Sequence, residues 1–469
     1  MAAHITDLRS ALAYLESQGE TVTDCPQSLK PEYELASHYA THSACVPATS
    51  RSGDESMIKY THVAGHRMPV LMGLFGSRRR NQLLLTGSPS EPHTAMMRAM
   101  AQRKPPLKTN SPPCQEVILD HPINLTEMLP IPTLTPRDAG PYITLGVVLA
   151  RDPDTGARNA SIHRLCVQGP DRLTIWINPG HHLGAFYQSA VEKGQSLPIS
   201  INIGLDPAVY FAACFTEPLC AKGECELEIA GGLRDQAVCI SDCCSIAAEC
   251  LSHAEIVLEG EITPQVCDEN HCTQAMASMP EFLGYDGSPK ADIPLVRITA
   301  VTHRKDAIYH TLIGPGREQS ELLGIPIEMA TLAALRKQFD VDFRNAFFSP
   351  AGGGLLLLIL QVVKNKSKDD QSIQKAASMT LSMIPPLKQV IVVDEDIDIH
   401  SADDVFWALS TRFQADKDLR VLTKQALFPM DPSQSTSYRQ EGSDPGGSAK
   451  TILDCTAPWH LKAQFRRSF

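Results

Sequence analysis

One six-residue stretch, which begins at Asn159 and ends at Arg164, combines an amide with a guanidinium near a strand-like run. Side chains alternate between the two faces of a strand, so Asn159, Ser161 and His163 are predicted on one face. Ile162 and Arg164 are predicted on the other, and a local bend would bring Arg164 and Asn159 to one cavity. There an amide oxygen could meet a cation or a phosphate, and the arginine could hold a carboxylate. An ordinary strand end is the alternative interpretation.

Two further groups in the same part of the chain could complete a set of metal ligands. His181 and His182 lie in a predicted turn, and Glu224, Glu226 and Glu228 form an acidic run. One Asn, one His and one Glu would be a ligand set rich in oxygen. Such a set suits Mn²⁺ or Mg²⁺ sharing a phosphate better than Zn²⁺, which would recruit the plentiful cysteines. Taken singly, each residue is more simply explained as a surface or capping group.

Glu281 is a candidate general acid because apolar residues frame it. Pro280 precedes it, and Phe282 and Leu283 follow it. Apolar surroundings raise the pKa of a carboxyl group and keep it protonated near neutral pH, as a general acid requires. The alternative is a turn whose glutamate points to water.

The composition is typical of a soluble globular protein that does not bind nucleic acid. Hydrophobic residues make up 43% and charged residues 20% of the 469 residues, and the formal net charge is -11. This length predicts two or three domains. An acidic chain lacks the basic field that displaces counterions from nucleic-acid phosphates. The compact basic run Arg78–Arg80 is interpreted as a solvated turn.

Neither a signal peptide nor a membrane helix is predicted. No apolar segment follows the amino terminus, and the longest apolar run, Leu355–Val363, is far shorter than the ~20 residues of a membrane helix. The 14 cysteines show no paired CxxC arrangement, so we interpret them as reduced, mostly buried thiols. The sequence therefore predicts a cytoplasmic protein.

The amino-terminal third predicts a mixture of helices and short strands. An amphipathic helix is expected over Ile5–Ser17 and a second helix over Pro92–Gln102, with short strands over residues 54–86 between them. Nine prolines between Pro105 and Pro141 forbid long helices there, so this segment is predicted to be a connector.

The remaining two thirds predict two different β-containing regions. Residues 142–262 alternate strands with short helices, which indicates a barrel-like or strongly bent sheet. Further on, predicted helices alternate with fully apolar strands such as Leu355–Val363 and Gln389–Val393. This alternation favours a second, α/β layer, so the fold class predicted for the whole chain is α/β (α+β).

Several motifs, in order along the chain, resemble those of the UbiD family of reversible decarboxylases, which use prenylated flavin mononucleotide (FMN). The motifs are Asp138–Ile143, Asn159–Arg164, Gly204–Ala208, Glu226–Arg234, Ala254–Gly260 and Val392–Asp398. The branch that acts on hydroxybenzoates, such as protocatechuate and gallate, is similar at four more places. These are Ile162–Gln168, Met279–Phe282, Leu312–Gly316 and Lys450–Trp459.

The resemblance implies three domains. They are an N-terminal α/β segment over residues 1–104, a split β-barrel that binds prenylated FMN over residues 105–320, and a C-terminal α/β oligomerisation domain over residues 321–469. It also implies a homodimer or homohexamer, and a flavin prenyltransferase as the supplier of the cofactor. The substrates would be an aromatic or heteroaromatic carboxylic acid and CO₂.

The resemblance also assigns roles to individual residues. Asn159, His182 and Glu226 match the ligands of a Mn²⁺ or Mg²⁺ ion that bridges to the flavin phosphate, with K⁺ nearby. Arg164 matches the arginine that holds the substrate carboxylate, and Glu281 matches the proton donor. The other residues expected at the cofactor are Ser161, Ile162, His163, Gln168 and Lys388, the last of which would contact the phosphate.

Two departures from the family pattern bear on activity and substrate. Many members carry a second acid five residues before the proton donor, where this chain has Met276, so the acid–arginine–acid network is expected to be incomplete. Protocatechuate-type members carry a histidine near the position of Gln319, which would meet a ring hydroxyl. Because glutamine both donates and accepts, a heteroaromatic acid such as indole-3-carboxylate or pyrrole-2-carboxylate fits comparably. A non-catalytic flavin-binding homologue is the remaining alternative.

Overall fold

The computed structural model describes residues 4–42, 54–89, 93–177, 180–215, 220–221, 223–426, 428, 430–434 and 447–468. The chain divides into two compact units, Met1–Leu322 and Leu323–Phe469. Each unit combines helices with β-sheet, which confirms the α/β (α+β) class. The predicted boundary between residues 104 and 105 falls inside the first unit and stays a prediction.

The first unit is built on a nine-stranded sheet in which all the strand pairs are antiparallel. In spatial order its strands are Tyr142–Ile143, Leu165–Gly169, Arg172–Ile175, Ile293–His303, Ile256–Cys267, Leu197–Ile203, Val147–Arg151 and Arg158–Ile162, and Val117–Leu119 pairs with Ile293–His303.

This sheet has to curl, because its two ends are joined by a very short connection. Tyr142–Ile143 is the first strand of the sheet, and Val147–Arg151 is the second to last, near the opposite edge. A flat sheet would separate these two strands by roughly 29 Å at about 4.8 Å per strand. The chain from Ile143 to Val147 can span at most about 14 Å. The curled sheet agrees with the bent, barrel-like sheet that the sequence predicts.

Two smaller sheets complete the strands of the first unit, and one sheet organises the second. The four-stranded sheet contains Val22–Cys25, Met57–Tyr60, Val70–Met72 and Tyr309–His310, and the three-stranded sheet contains Glu249–Leu251, Cys239–Asp242 and Leu107–Lys108. In the second unit the order is Asp342–Phe348, Leu357–Val363, Gln389–Asp394, Ser448–Cys455 and Leu419–Gln425, with a parallel centre and antiparallel edges.

The helices lie between these strands in sequence. The first unit contains Leu8–Ser17, Glu34–His42, Arg78–Thr86, His93–Ala101, Leu125–Met128, His182–Glu192, Pro207–Ala212, Glu226–Arg234 and the 3₁₀ turn Pro113–Gln115. Arg317–Gln338 begins in the first unit and ends in the second, which also contains Asp369–Met383, Ala402–Thr411, Ala415–Asp418 and the 3₁₀ segments Pro350–Gly352, Pro432–Gln434 and Trp459–Phe465. Within the described ranges, no helix combines the length and apolar character needed to cross a bilayer.

The basic run at residues 78–80 is not a solvated turn, and the strands predicted up to residue 86 end earlier. A helix begins at Arg78, and both Arg78 and Arg80 are buried. The Arg80 guanidinium donates to the carbonyl oxygens of Gly73 and Leu74, 2.9 and 3.3 Å away, while Arg78 pairs with Glu321. Five fixed donors on one side chain can satisfy buried carbonyls, so Arg78 and Arg80 serve the core, whereas Arg79 between them is exposed.

A buried carboxyl group beside this helix should make stability depend on pH. Glu318 accepts hydrogen bonds from the N–H groups of Gly73 and Phe75, and burial together with the charge of Glu55 raises its pKa from 4.5 to about 8. The unfolded chain ionises this group at lower pH, so stability is expected to fall as pH rises from about 4.5 to about 8 and then to level.

Glu318→Gln should flatten the fall of the unfolding midpoint between about pH 6 and 8, because the amide does not ionise. Thermal unfolding followed by circular dichroism would measure it. The exposed Glu127 provides a matched control, since Glu127→Gln should keep the slope of the parent protein. An unchanged slope in Glu318→Gln would contradict the assignment.

Candidate active site

Asn159 and Glu226 are in direct contact, although 67 residues separate them. The strand Arg158–Ile162 carries Asn159, and Glu226 is the first residue of the helix Glu226–Arg234. Asn159 Nδ2 donates to Glu226 Oε1 at 2.9 Å, and the Ala160 N–H donates to Oε2 at 2.9 Å. Glu226 is 2% exposed, and burial raises its pKa to about 7. These donors are neutral, as is the nearby thiol of Cys220, so a bound cation would complete the compensation of a buried carboxylate.

The neighbouring histidine leaves the oxygen of Asn159 available. His163 is buried, and burial lowers its pKa to about 4, so the ring is neutral. Its Nδ1 lies 3.2 Å from the Trp176 carbonyl oxygen and must carry the proton, so Nε2 is an acceptor, 2.9 Å from the Ser161 hydroxyl. Ser161 has one proton to give, so even when it donates to Asn159 Oδ1, 2.9 Å away, that oxygen keeps one lone pair for another partner. This donor set fits a hard cation such as Mn²⁺ or Mg²⁺.

Arg164 lies between two carboxylates. Its Nη1 donates to Glu281 Oε1 at 2.5 Å, and its Nη2 donates to Glu269 Oε2 at 2.8 Å. The guanidinium carbon lies 4.9 Å from the centre of the Trp176 ring, and the buried Nε has no partner within the described residues. The arginine is therefore fixed on three sides, and its Nε–H stays available as a donor.

The acid–arginine–acid network that the sequence predicts to be incomplete is present, with Glu269 as its second acid. Glu269 is 1% exposed, and its carboxylate also accepts from the Tyr142 hydroxyl at 3.0 Å and from the Lys290 N–H at 3.0 Å. Met276, where the missing acid was expected, is 95% exposed. The expectation was wrong because it looked for the second acid only at five residues before Glu281. The second acid is Glu269, which lies in the long connection after the strand Ile256–Cys267.

Glu281 has the environment that a proton donor needs. Burial raises its pKa, while the charge of Arg164 lowers it and that of Glu269 raises it again. A Cβ placed on Gly287 would lie 2.8 Å from Glu281 Oε1 and 2.4 Å from Ser278 Oγ. The absence of a side chain at Gly287 therefore makes the space that the carboxyl group occupies.

Gln168 holds the backbone of Glu269, the second acid of this network. Its Nε2 donates to the carbonyl oxygen of Glu269 at 2.6 Å, and its Oε1 is buried without a partner in the described part of the chain. The sequence pointed to Gln168 through a family motif as a cofactor residue. The contact shown instead fixes the backbone of Glu269, and a role at the cofactor stays a prediction.

His182 is the first residue of the helix His182–Glu192 and is half-buried. Its neighbour His181 lies with its ring centre 6.1 Å from that of His163, so this helix start is close to the strand that carries Asn159. Over the residues described, no three His, Cys, Asp or Glu side chains converge as a metal site. The predicted ligand set contains only two residues of these types, His182 and Glu226, because its third member is Asn159. A group of three such side chains is therefore not expected here, and the ligand set stays a prediction.

The remaining predicted residues lie in different places. Ile162 ends the strand Arg158–Ile162 and is half-buried. Gln319 belongs to the first unit, packs closely against Gly314, and has a buried Oε1 without a partner among the described residues. Lys388 belongs to the second unit, where its Nζ donates to Asp431 at 2.9 Å and to Ser433 at 2.6 Å.

Comparison with known proteins places this geometry in a family. Residues 106–318 match the model of the 3-octaprenyl-4-hydroxybenzoate carboxy-lyase Rift-related domain, and residues 321–455 match that of the corresponding C-terminal domain. The gallate decarboxylase of Lactiplantibacillus plantarum is 34% identical over 100% of this chain and 97% of its own length.

Two solved structures are similar over almost the whole chain. The apo 3,4-dihydroxybenzoic acid decarboxylase of Enterobacter cloacae is 37% identical with a TM-score of 0.93, and covers 99% of this chain and 97% of its own. The UbiD-class enzyme HmfF from Pelotomaculum thermopropionicum, in complex with FMN, is 33% identical with a TM-score of 0.86 and the same coverage. The chain is therefore a carboxy-lyase that belongs to the UbiD family.

Proposed function

We propose that this protein catalyses the reversible, non-oxidative decarboxylation of an aromatic carboxylic acid of the hydroxybenzoate type, such as protocatechuate or gallate, with prenylated FMN. The observation that carries the proposal is Arg164 held between Glu269 and Glu281. This arrangement joins a cation for the substrate carboxylate to an acid with a raised pKa. The relatives that decarboxylate gallate and 3,4-dihydroxybenzoic acid support the class of substrate.

Asn159, His182 and Glu226 would hold Mn²⁺ or Mg²⁺ against the cofactor phosphate, with K⁺ nearby. The Glu226 carboxylate, which has only neutral hydrogen-bond donors, and the remaining lone pair of Asn159 Oδ1 support this assignment. Loss of CO₂ leaves carbanion character on an sp² carbon, which no side chain of this site delocalises, and the bound prenylated flavin would supply the electron sink.

The side chains have separate tasks in the proposed reaction. Arg164 orients the carboxylate that leaves as CO₂, and its unused Nε adds a donor for one carboxylate oxygen. Glu281 delivers a proton to the ring carbon after CO₂ has left, and takes it back in the carboxylation direction. Glu269 keeps Arg164 in place and raises the pKa of Glu281, so it is a positioning residue.

A heteroaromatic acid, such as indole-3-carboxylate or pyrrole-2-carboxylate, is the second candidate substrate. Gln319 is compatible with it, because its buried Oε1 lacks a partner within the described residues and an amide oxygen can accept from a ring N–H. The same amide can also meet a ring hydroxyl, so Gln319 alone does not separate the two classes. Turnover of a panel of hydroxybenzoates, indoles and pyrroles would do so.

The proposal is tested by releasing the cofactor from protein co-expressed with a flavin prenyltransferase and measuring its mass. Prenylated FMN together with CO₂ release from a member of the panel would support it. Plain FMN and no turnover would favour a non-catalytic homologue.

Analytical ultracentrifugation of the same sample would test the predicted homodimer or homohexamer. Elemental analysis of the protein would test for bound Mn²⁺ and K⁺. The contact of Lys388 with the phosphate that the family resemblance implies stays a prediction.

Glu269→Gln should change the pH dependence of the reaction. The proton donor must be protonated, so the rate falls as pH rises above the pKa of Glu281. Removing the negative charge of Glu269 lowers that pKa and should move the falling limb to lower pH. The profile of kcat against pH measures this shift, and Met276→Ala, at an exposed site, should leave it unchanged. A lower rate with an unmoved limb would mean that Glu269 holds Arg164 in place without raising the pKa of Glu281.

A further inference from the structure

Three cysteines come together at a hairpin on the three-stranded sheet, away from the residues assigned above. Cys250 lies in the strand Glu249–Leu251 and pairs with Ser241 of the strand Cys239–Asp242. Cys243 follows Ser241 by two residues, so it is the diagonal neighbour of Cys250 across the hairpin. Cys114 approaches from the 3₁₀ turn Pro113–Gln115, whose backbone is tied to the hairpin's continuation through the Ser252 carbonyl.

The sulfur of Cys250 is the centre of this group. Cys114 Sγ lies 3.9 Å from Cys250 Sγ, and the thiol of Cys243 also hydrogen-bonds to Cys250. A third donor, Gln115 Nε2, lies 3.9 Å from the same sulfur. If Cys250 is the thiolate, both thiols and the amide can donate to its sulfur, and hydrogen bonds from Cys114 and Cys243 lower the pKa of Cys250.

The backbone around these thiols is held in place by other contacts. The carboxylate of Glu259 accepts from the N–H groups of Cys244 and Ser245 at 2.8 and 2.6 Å, which fixes the turn after Cys243. Gln115 Nε2 also donates to the carbonyl oxygen of Asp242 at 2.7 Å. The thiols are therefore brought together by the fold, and a sulfur pair has to close only from 3.9 Å to about 2 Å to become a disulfide.

We propose that Cys114, Cys243 and Cys250 form a thiol–disulfide centre, in which Cys250 makes a reversible disulfide with one of the other two. Cys114 and Cys250 are buried, whereas Cys243 is half-buried and precedes the exposed residues Cys244 and Ser245, so a small oxidant would enter on the Cys243 side. The oxidant class is a peroxide.

The chemistry balances in two steps. The thiolate of Cys250 attacks hydrogen peroxide, the O–O bond breaks, and a sulfenic acid forms together with hydroxide, which takes up one proton from solvent to become water. The thiol of Cys243 or Cys114 then attacks that sulfur, the S–O bond breaks, and a second water leaves as the disulfide forms. Two electrons pass from sulfur to peroxide, and a low-molecular-weight thiol reverses the change.

The centre is connected to the proposed cofactor site by one ion pair. Glu249, which precedes Cys250, accepts hydrogen bonds from Arg151 at 3.0 Å and from Arg158 at 2.7 Å. Arg158 directly precedes Asn159 in its strand. Formation of the disulfide would therefore change the backbone beside Glu249. Through its pair with Arg158, Glu249 holds the strand that carries the predicted metal ligand Asn159.

The test treats the full-length native protein with hydrogen peroxide, blocks free thiols with N-ethylmaleimide, and maps the peptides by mass spectrometry. We expect a cross-linked peptide that contains Cys250 with Cys243 or Cys114, lighter by two hydrogen atoms and restored by dithiothreitol. Cys250→Ser should abolish the cross-link, and Cys114→Ser should leave the pair of Cys250 with Cys243. Cys239→Ser, on the same hairpin, is the matched control and should change nothing.

Two results would overturn the proposal. One is native protein in which peroxide modifies only exposed thiols, such as Cys244 and Cys272, and yields no internal cross-link. The other is a cross-link at this hairpin that persists in Cys250→Ser, since the central sulfur would then be unnecessary. Because the first result needs no variant, it holds even if a serine variant folds poorly.

Discussion

Glu281→Gln is expected to lower the rate of decarboxylation by about 10²- to 10⁴-fold, the usual contribution of a positioned general acid. Glutamine keeps the shape of the side chain and can still accept the hydrogen bond from Arg164 Nη1, but it has no proton to deliver to carbon. Burial raises the pKa of Glu281 in the parent protein, which favours the protonated form that a proton donor needs. The loss should therefore appear in the chemical step and not in the binding of flavin.

Two measurements on the same sample separate these effects. The absorbance of the protein-bound flavin should match that of the parent, while CO₂ release falls. Incubation of the product in heavy water should show the same loss, because exchange of the ring hydrogen uses the same proton donor without decarboxylation. Glu261→Gln is a matched control, since Glu261 also pairs with an arginine, Arg297, but on an exposed part of the sheet. Turnover at the parent's rate in Glu281→Gln would mean that another group donates the proton.

The contact between Asn159 and its neighbours follows from the sequence. A strand alternates its side chains, which predicts that Asn159, Ser161 and His163 share a face. The hydroxyl of Ser161 indeed lies 2.9 Å from both Asn159 Oδ1 and His163 Nε2. Local geometry of this kind depends only on the backbone of one strand, so residue spacing alone is sufficient to predict it.

The place of Glu269 in the acid–arginine–acid network could not be predicted from the sequence. Its position is set by where the connection between the strands Ile256–Cys267 and Ile293–His303 turns back toward Arg164. That path depends on contacts with Gln168 and Tyr142, which lie more than 100 residues away in the chain. A rule about spacing from Glu281 could not detect it, because the second acid does not occupy the expected position.

The burial of Arg78 and Arg80 could not be predicted from the local sequence either. Charge and hydropathy place a run of three arginines at the surface, and burial of a guanidinium is indeed costly when its donors are unpaired. Arg80 escapes that cost because carbonyl groups of the preceding loop, including those of Gly73 and Leu74, accept from it. The loop conformation that aims those carbonyls is a property of the folded unit and not of the local pattern.

Glu226→Ala is expected to remove the metal and the flavin together, with a fall in metal affinity larger than the ~10- to 100-fold seen when only an outer partner of a ligand is lost. The cofactor phosphate would then face the site without the cation that joins it to the protein. The substitution also leaves Asn159 Nδ2 and the Ala160 N–H without their acceptor, which costs roughly 1–3 kcal/mol for each buried donor. Lower stability could thus imitate a loss of binding.

Two comparisons separate the ligand role from that structural cost. Glu228→Ala makes the same substitution in the first turn of the same helix, at a half-buried position, and should retain metal and flavin. Glu226→Gln keeps the volume and one of the two acceptor oxygens, so it should recover part of the stability without restoring the charge that the cation needs. We therefore expect Glu226→Gln to unfold at a higher temperature than Glu226→Ala and still to lack metal by elemental analysis. Full occupancy of metal and flavin in Glu226→Gln would show that the carboxylate charge is not required, and the ligand assignment would pass to other residues.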